Sequence, residues 1–189
     1  MKIPKVLVAV LLVSAMPLAA QSYEHRVLAT SRTSTMEKEL NENAKSGFRM
    51  QSAMGGQRLL AGNEVAVIMS RPAGETKERY RYRVLAANKT STMQRELQAA
   101  ADDGYEYCAQ TVFNTAYGGK EVVVILEREL GTSEPRSEYL LLATSRTSTM
   151  DKELAEAGAK GFLVLGLTVG DTAFGGNELI AILRRPRSK

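Results

Sequence analysis

The chain has 189 residues, with 25 Lys+Arg against 21 Asp+Glu, one histidine, one cysteine and no tryptophan. A lone cysteine excludes an internal disulfide framework, and one cysteine with one histidine leaves no ligand set for a zinc centre. Residues 1–20 carry Lys2, Lys5 and no acid; without them 23 basic residues face 21 acidic ones, and the net charge drops from +4 to about +2. That lacks the concentrated basic face of a nucleic-acid binder.

In chain order, the first element is a targeting segment. Lys2 and Lys5 precede the apolar run Val6 to Met16, and Pro17-Leu18-Ala19-Ala20 ends in small residues. This is the pattern of a cleavable signal peptide, and the run is shorter than the ~20 residues that span a bilayer. No later stretch is long and apolar enough to cross a membrane. The expected location is therefore outside the cytoplasm, in the bacterial periplasm, with no integral membrane part.

The remainder repeats. Thr33-Ser34-Thr35-Met36 returns as Thr90-Ser91-Thr92-Met93 and as Thr147-Ser148-Thr149-Met150, at an interval of 57 residues each time. In the same register, Leu40, Gly47, Glu64, Ile68 and Arg71 recur as Leu97, Gly104, Glu121, Ile125 and Arg128, then as Leu154, Gly161, Glu178, Ile182 and Arg185. Fixed-period self-similarity sets the architecture before any single element does. The units run over residues 23–72, 80–129 and 137–186, joined by polar linkers.

Each unit reads as βαββ. Tyr23 to Ala29 alternates as a strand does. Ser34 and Glu37 fit a capping box at the start of a helix, repeated as Ser91/Gln94 and Ser148/Asp151. Met36, Leu40 and Ala44 give that helix a narrow apolar stripe, and Gly47 suits its left-handed end. A second strand opens at Phe48, Tyr105 and Phe162. The third, typified by Val122-Val123-Val124-Ile125-Leu126, is apolar without interruption and so central. These choices predict an α+β protein of three antiparallel three-stranded sheets in the order 1-3-2. A 50-residue unit buries too little surface alone, so the sheets are expected to pack around a shared core.

The opening Tyr-x-x-x-Val/Leu strand, the Glu-Leu…Gly helix end and the apolar strand closing on Arg resemble a bacterial family of small domains of unknown function. That family's pattern has a Tyr-Lys-Val start and a Gly-Trp-Glu-Leu-Val centre. Here the centre reads Gly47-Phe48-Arg49-Met50, Gly104-Tyr105-Glu106-Tyr107 and Gly161-Phe162-Leu163-Val164. The resemblance implies a small α+β sheet domain and brings no activity with it.

Chemistry-bearing patterns are sparse. There is no P-loop, Gly-x-Ser-x-Gly or dinucleotide fingerprint. His25 aligns with Tyr82 and Tyr139, an aromatic slot, and Cys108 lies in an apolar strand as a buried, inert thiol. No catalytic, metal or cofactor residue is assigned, so the chain reads as a non-catalytic binding or interaction protein. The candidate ligand-binding residues are Arg32, Thr33, Ser34 and Thr35, Lys89, Thr90, Ser91 and Thr92, and Arg146, Thr147, Ser148 and Thr149. Free N–H groups at a helix start, beside a cation, suit a small anion. Capping alone accounts for the serine and one threonine; a packing joint between units would equally keep the whole string. The alternative from another class is a structural or assembly component of the cell envelope, with a protein as partner.

Overall fold

The computed structural model describes residues 20–58, 62–87, 89–114, 120–132, 137–171 and 177–187. The expected signal peptide, apart from Ala20, lies outside them. Three units follow one another. The first holds β1 (Tyr23–Thr30), α1 (Thr33–Ala44), β2 (Arg49–Arg58) and β3 (Gly62–Pro72). The second holds β4 (Tyr80–Ala87), α2 (Thr90–Asp102), β5 (Glu106–Asn114) and β6 (Lys120–Glu129). The third holds β7 (Ser137–Thr144), α3 (Thr147–Ala159), β8 (Leu163–Asp171) and β9 (Asn177–Pro186). The sheets are antiparallel, ordered β1-β3-β2, β4-β6-β5 and β7-β9-β8, with the apolar strand central in each, as its composition predicts.

The repeated glycines end the helices. Gly47, Gly104 and Gly161 sit at φ 85°, 83° and 83°, a region where a Cβ clashes with the backbone. Their N–H groups donate to Ala44, Ala101 and Gly158. The repeated arginine belongs to the same device. Arg71, Arg128 and Arg185 stack on Phe48, Tyr105 and Phe162. They also donate to the carbonyls of Ser46, Asp103 and Lys160, where each helix has just ended. A cation there complements the helix dipole and satisfies an orphan carbonyl. Glycine, aromatic ring and arginine thus recur together because they make one joint between helix and central strand.

Helix starts depart from expectation. The N-caps are Arg32, Lys89 and Arg146, in extended backbone, and none makes a side-chain cap hydrogen bond. The capping box of Ser34 and Glu37 is not formed, because Glu37 and Gln94 are engaged by the following unit.

Burial runs in series rather than around one shared core. Met36, Leu40, Val65, Val67 and Met69 of the first unit pack with Tyr80, Tyr82, Val123 and Ile125 of the second. Met93, Leu97, Val122, Val124 and Leu126 of the second pack with Tyr139, Ile180 and Ile182 of the third. A third cluster contains third-unit residues alone. The alternation of the central strand explains this. Val65, Val67 and Met69 face the unit's own helix, whereas positions such as Val123 and Ile125 face the preceding unit. Each unit closes the core of the one before it, as in solenoid arrays. A fully buried side chain such as Ile125 contributes about 1.5–3 kcal/mol from burial.

Candidate functional site

The twelve residues singled out from the sequence occupy three separate helix starts. Arg32, Lys89 and Arg146 are exposed, as are Ser34, Ser91, Thr147 and Ser148; Thr33, Thr35, Thr90, Thr92 and Thr149 are partly buried. Thr30 Oγ1 accepts from the Arg32 N–H (3.2 Å) and Thr144 Oγ1 from that of Arg146 (3.3 Å). Among the described residues, no bond or ion pair joins one Thr-Ser-Thr segment to another.

The densest polar geometry lies elsewhere, at the joints between units. The edge strand of each successor is clamped by the preceding helix. Glu37 Oε2 accepts from the Val84 N–H (2.8 Å), and Asn41 accepts from the Tyr82 N–H (3.0 Å) while donating to the Tyr82 carbonyl (2.9 Å). One joint later, Gln94 accepts from the Leu141 N–H (2.7 Å) and donates to the Tyr139 carbonyl (2.9 Å). Gln98 accepts from the Tyr139 N–H (3.1 Å) and donates to the Ser137 carbonyl (3.2 Å). An open strand edge is otherwise a row of unpaired backbone groups; the helices supply side-chain amides and a carboxylate in place of a fourth strand.

Beneath each clamp sits a tyrosine. β2 and β5 carry a bulge after Met50 and Tyr107 that breaks the ladder. The Met50 N–H donates to Tyr82 Oη (2.8 Å) and the Tyr107 N–H to Tyr139 Oη (2.7 Å). Each phenol then donates to a carboxylate, Tyr82 to Glu127 (2.8 Å) and Tyr139 to Glu106 (3.1 Å). Arg49 closes the first network with a bidentate pair to Glu127, and Arg184 closes the second on Glu106. The polarity is reversed between joints: the preceding unit gives the cation in one and the anion in the other. These joint residues were not singled out from the sequence. Their signal was available, since both charge pairs span 78 residues, but it is not the repeat interval.

His25 and Ser70 face each other at 2.7 Å. They occupy the positions of Tyr82 and Glu127, cross-strand partners in the second unit, so the pair is the first unit's version of a packing contact. It borders a cleft of about 500 Å³ lined by Tyr23, His25, Arg49, Ser70, Arg79 and Tyr80. Cys108 packs at the margin of the first core, and burial followed by the charge of Glu127 pushes its thiol up to about 12.

Burial also raises the phenols at the joints. Tyr107 is pushed up to about 12. Tyr82 is held well above the usual range by burial and then by Glu127. Tyr139 is raised by burial against the opposing pull of the Tyr107 N–H. In the unfolded chain these groups release protons near pH 10 for tyrosine and 9 for cysteine; in the folded chain they keep them. The stability they support is therefore intact below about pH 9 and lost as pH rises towards 12. The urea midpoint is expected to fall steadily from about pH 9 to 12, and less steeply in Tyr82→Phe/Tyr139→Phe. A midpoint flat to pH 11 would contradict the buried phenol networks.

At the two ends of the array the joint surfaces are uncovered among the described residues. Ile68 is 44% exposed, whereas its equivalents Ile125 and Ile182 are fully buried. Val27, Met54 and Tyr23 are likewise exposed on the outer face of the first sheet. At the other end Val164, Leu167 and Val169 are exposed on the α3 side of β8, with Leu163 beside them; Met50, the equivalent of Val164, is 4% exposed. No helix of the described residues is long and apolar enough to cross a membrane. No family model matches the chain, and neither a curated protein nor a solved structure does.

Proposed function

We propose that this is an exported, non-catalytic interaction module that binds protein through the sheet faces at the two ends of its array. The observation that carries this reading is the pair of apolar faces, Val27/Met54/Ile68 and Val164/Leu167/Val169, whose internal counterparts are occupied by a neighbouring unit. Contiguous exposed apolar surface marks interaction sites. End units of repeat arrays that stay solitary carry a polar outer face; here the third unit replaces Arg49 and Glu106 by Leu163, and Ala53 and Gln110 by Leu167. The N-terminal pattern supports export, and the packing role of His25 and Ser70 supports a non-catalytic reading. The helix starts carry no second mark of a ligand, so the proposal rests on the sheet faces.

The test places a photo-crosslinking residue at Leu167 or Val27, with exposed Lys38 on the helix as control, in cells that make the protein. Discrete protein adducts from the two faces and not from Lys38 are expected. Absence of adducts from both faces would overturn the reading.

A further inference from the structure

We propose that the partner is a second copy of this chain, docked head to tail, so that the third unit of one molecule receives the first unit of the next. This rests on the interaction reading above and names its partner. The chain already makes this interface twice. In each joint the helix side of one sheet receives the outer face of the next, at a constant 57-residue offset. The third unit presents the receiving half (α3, Val164, Leu167, Val169), and the first presents the inserting half (Val27, Met54, Ile68). Such an interface is heterologous, with two different patches, and it propagates instead of closing on itself.

Charge selects this pairing over the others. At the joint position, the receiving sides of the three units carry Arg49, Glu106 and Leu163; the inserting sides carry Ser70, Glu127 and Arg184. First to second gives Arg49 with Glu127, and second to third gives Glu106 with Arg184. Third to first gives Leu163 with Ser70, neutral on both sides. Every other combination sets like charges together, as Arg49 on Arg184, or leaves one charge unmatched, as Leu163 on Glu127. Desolvating an unpaired charge is costly, and specificity between similar surfaces is built by such penalties. Both members of the charge pair are missing together at the two ends, as a joint between copies requires.

The remaining contacts carry over in part; the bonds that Thr111 and Thr168 accept across the internal joints are lost, because Met54 stands at that position. Asp151 stands where Glu37 accepts from Val84, and would accept from the Val27 N–H. The His25 ring takes the slot of Tyr82, beside the bulge after Val164. Ala155 replaces the clamp residues Asn41 and Gln98, so the joint between copies lacks that pair of edge hydrogen bonds. It is therefore weaker than the internal joints and reversible.

The purified protein is tested by sedimentation velocity from about 1 µM to 1 mM, the range in which a weak joint populates. Wild type is expected to grow in mass beyond two chains. Val27→Asp blocks the inserting face and Leu167→Asp the receiving face; each alone is expected to stay a single chain. Their equimolar mixture restores a two-chain species and nothing larger, because each variant keeps one working face. Both positions are exposed, so the variants fold as wild type does by circular dichroism. Ala155→Gln restores the clamp and is expected to tighten association at least about fivefold, from two added hydrogen bonds. Wild type remaining a single chain throughout, a mixture that stays single, or association blocked by only one of the two variants would overturn the proposal. In the crosslinking experiment an adduct of two chains supports it. An adduct with a different protein overturns the second copy while keeping the interaction reading.

Discussion

Ile125→Ala and Ile182→Ala are each expected to lower stability by about 2–5 kcal/mol, while Ile68→Ala costs under about 1 kcal/mol in dilute solution. The three isoleucines occupy one repeat position, at the centre of one strand, with cross-strand partners Val27, Val84 and Leu141. Residue type and strand position are matched, and the main difference is the neighbouring unit. Ile125 is inserted into the core around Leu40 and Val67, and Ile182 into the core around Leu97 and Val124. Removing three carbons from either leaves a cavity between two units that neither can collapse alone. Ile68 has no unit in front of it among the described residues and loses little. Urea unfolding at low micromolar concentration measures all three. Equal losses at the three positions would refute a serial array, since a closed arrangement gives each isoleucine the same surroundings.

The same triad shows what could and could not be read in advance. The sequence carries the interval, the strand order and the helix-ending glycines in local patterns, and the fold follows them. It does not distinguish Ile68 from Ile125, because burial at that position depends on which unit stands in front. The expectation of a shared core follows from the correct premise that one unit buries too little. A series satisfies that premise as well as a ring does, leaving two faces open. Glu37 departs from its expected capping role for a related reason. A serine three residues before an acid is a capping signature only if the acid is free to turn back, and the Val84 N–H of the next unit has taken it. Arg71 is legible as a repeated charge, but its partners, Glu24, the Phe48 ring and the Ser46 carbonyl, are not. The helix starts stand out because Thr-Ser-Thr-Met is identical in all three copies. The joints do not, because their residues differ: a pair that reverses polarity from one copy to the next looks like drift when the copies are aligned position by position.

That reversal gives the second large effect. Arg49→Glu is expected to cost about 2–4 kcal/mol, somewhat below the figure for breaking a fully buried pair because Arg49 is half exposed. The new carboxylate faces Glu127, whose side chain is only 11% exposed and which also accepts from Tyr82. Glu127→Arg should be of similar size, since it sets two cations together and takes away the acceptor of the Tyr82 phenol. The double variant Arg49→Glu/Glu127→Arg is expected to recover at least half of the summed loss. It rebuilds the first joint in the form the second joint already has. There the carboxylate belongs to the preceding unit, the arginine to the following one, and Tyr139 donates to the carboxylate from its new side. The tyrosine follows the anion across the interface, so either polarity satisfies it. Recovery stays incomplete because Arg49 also stacks on Tyr80, whereas the second joint has Ser137 there, donating to Glu106. A double-mutant cycle isolates the coupling from the separate costs of the two substitutions. Additive losses would mean that the charges act independently, and would remove the basis for treating them as the code that orders the units.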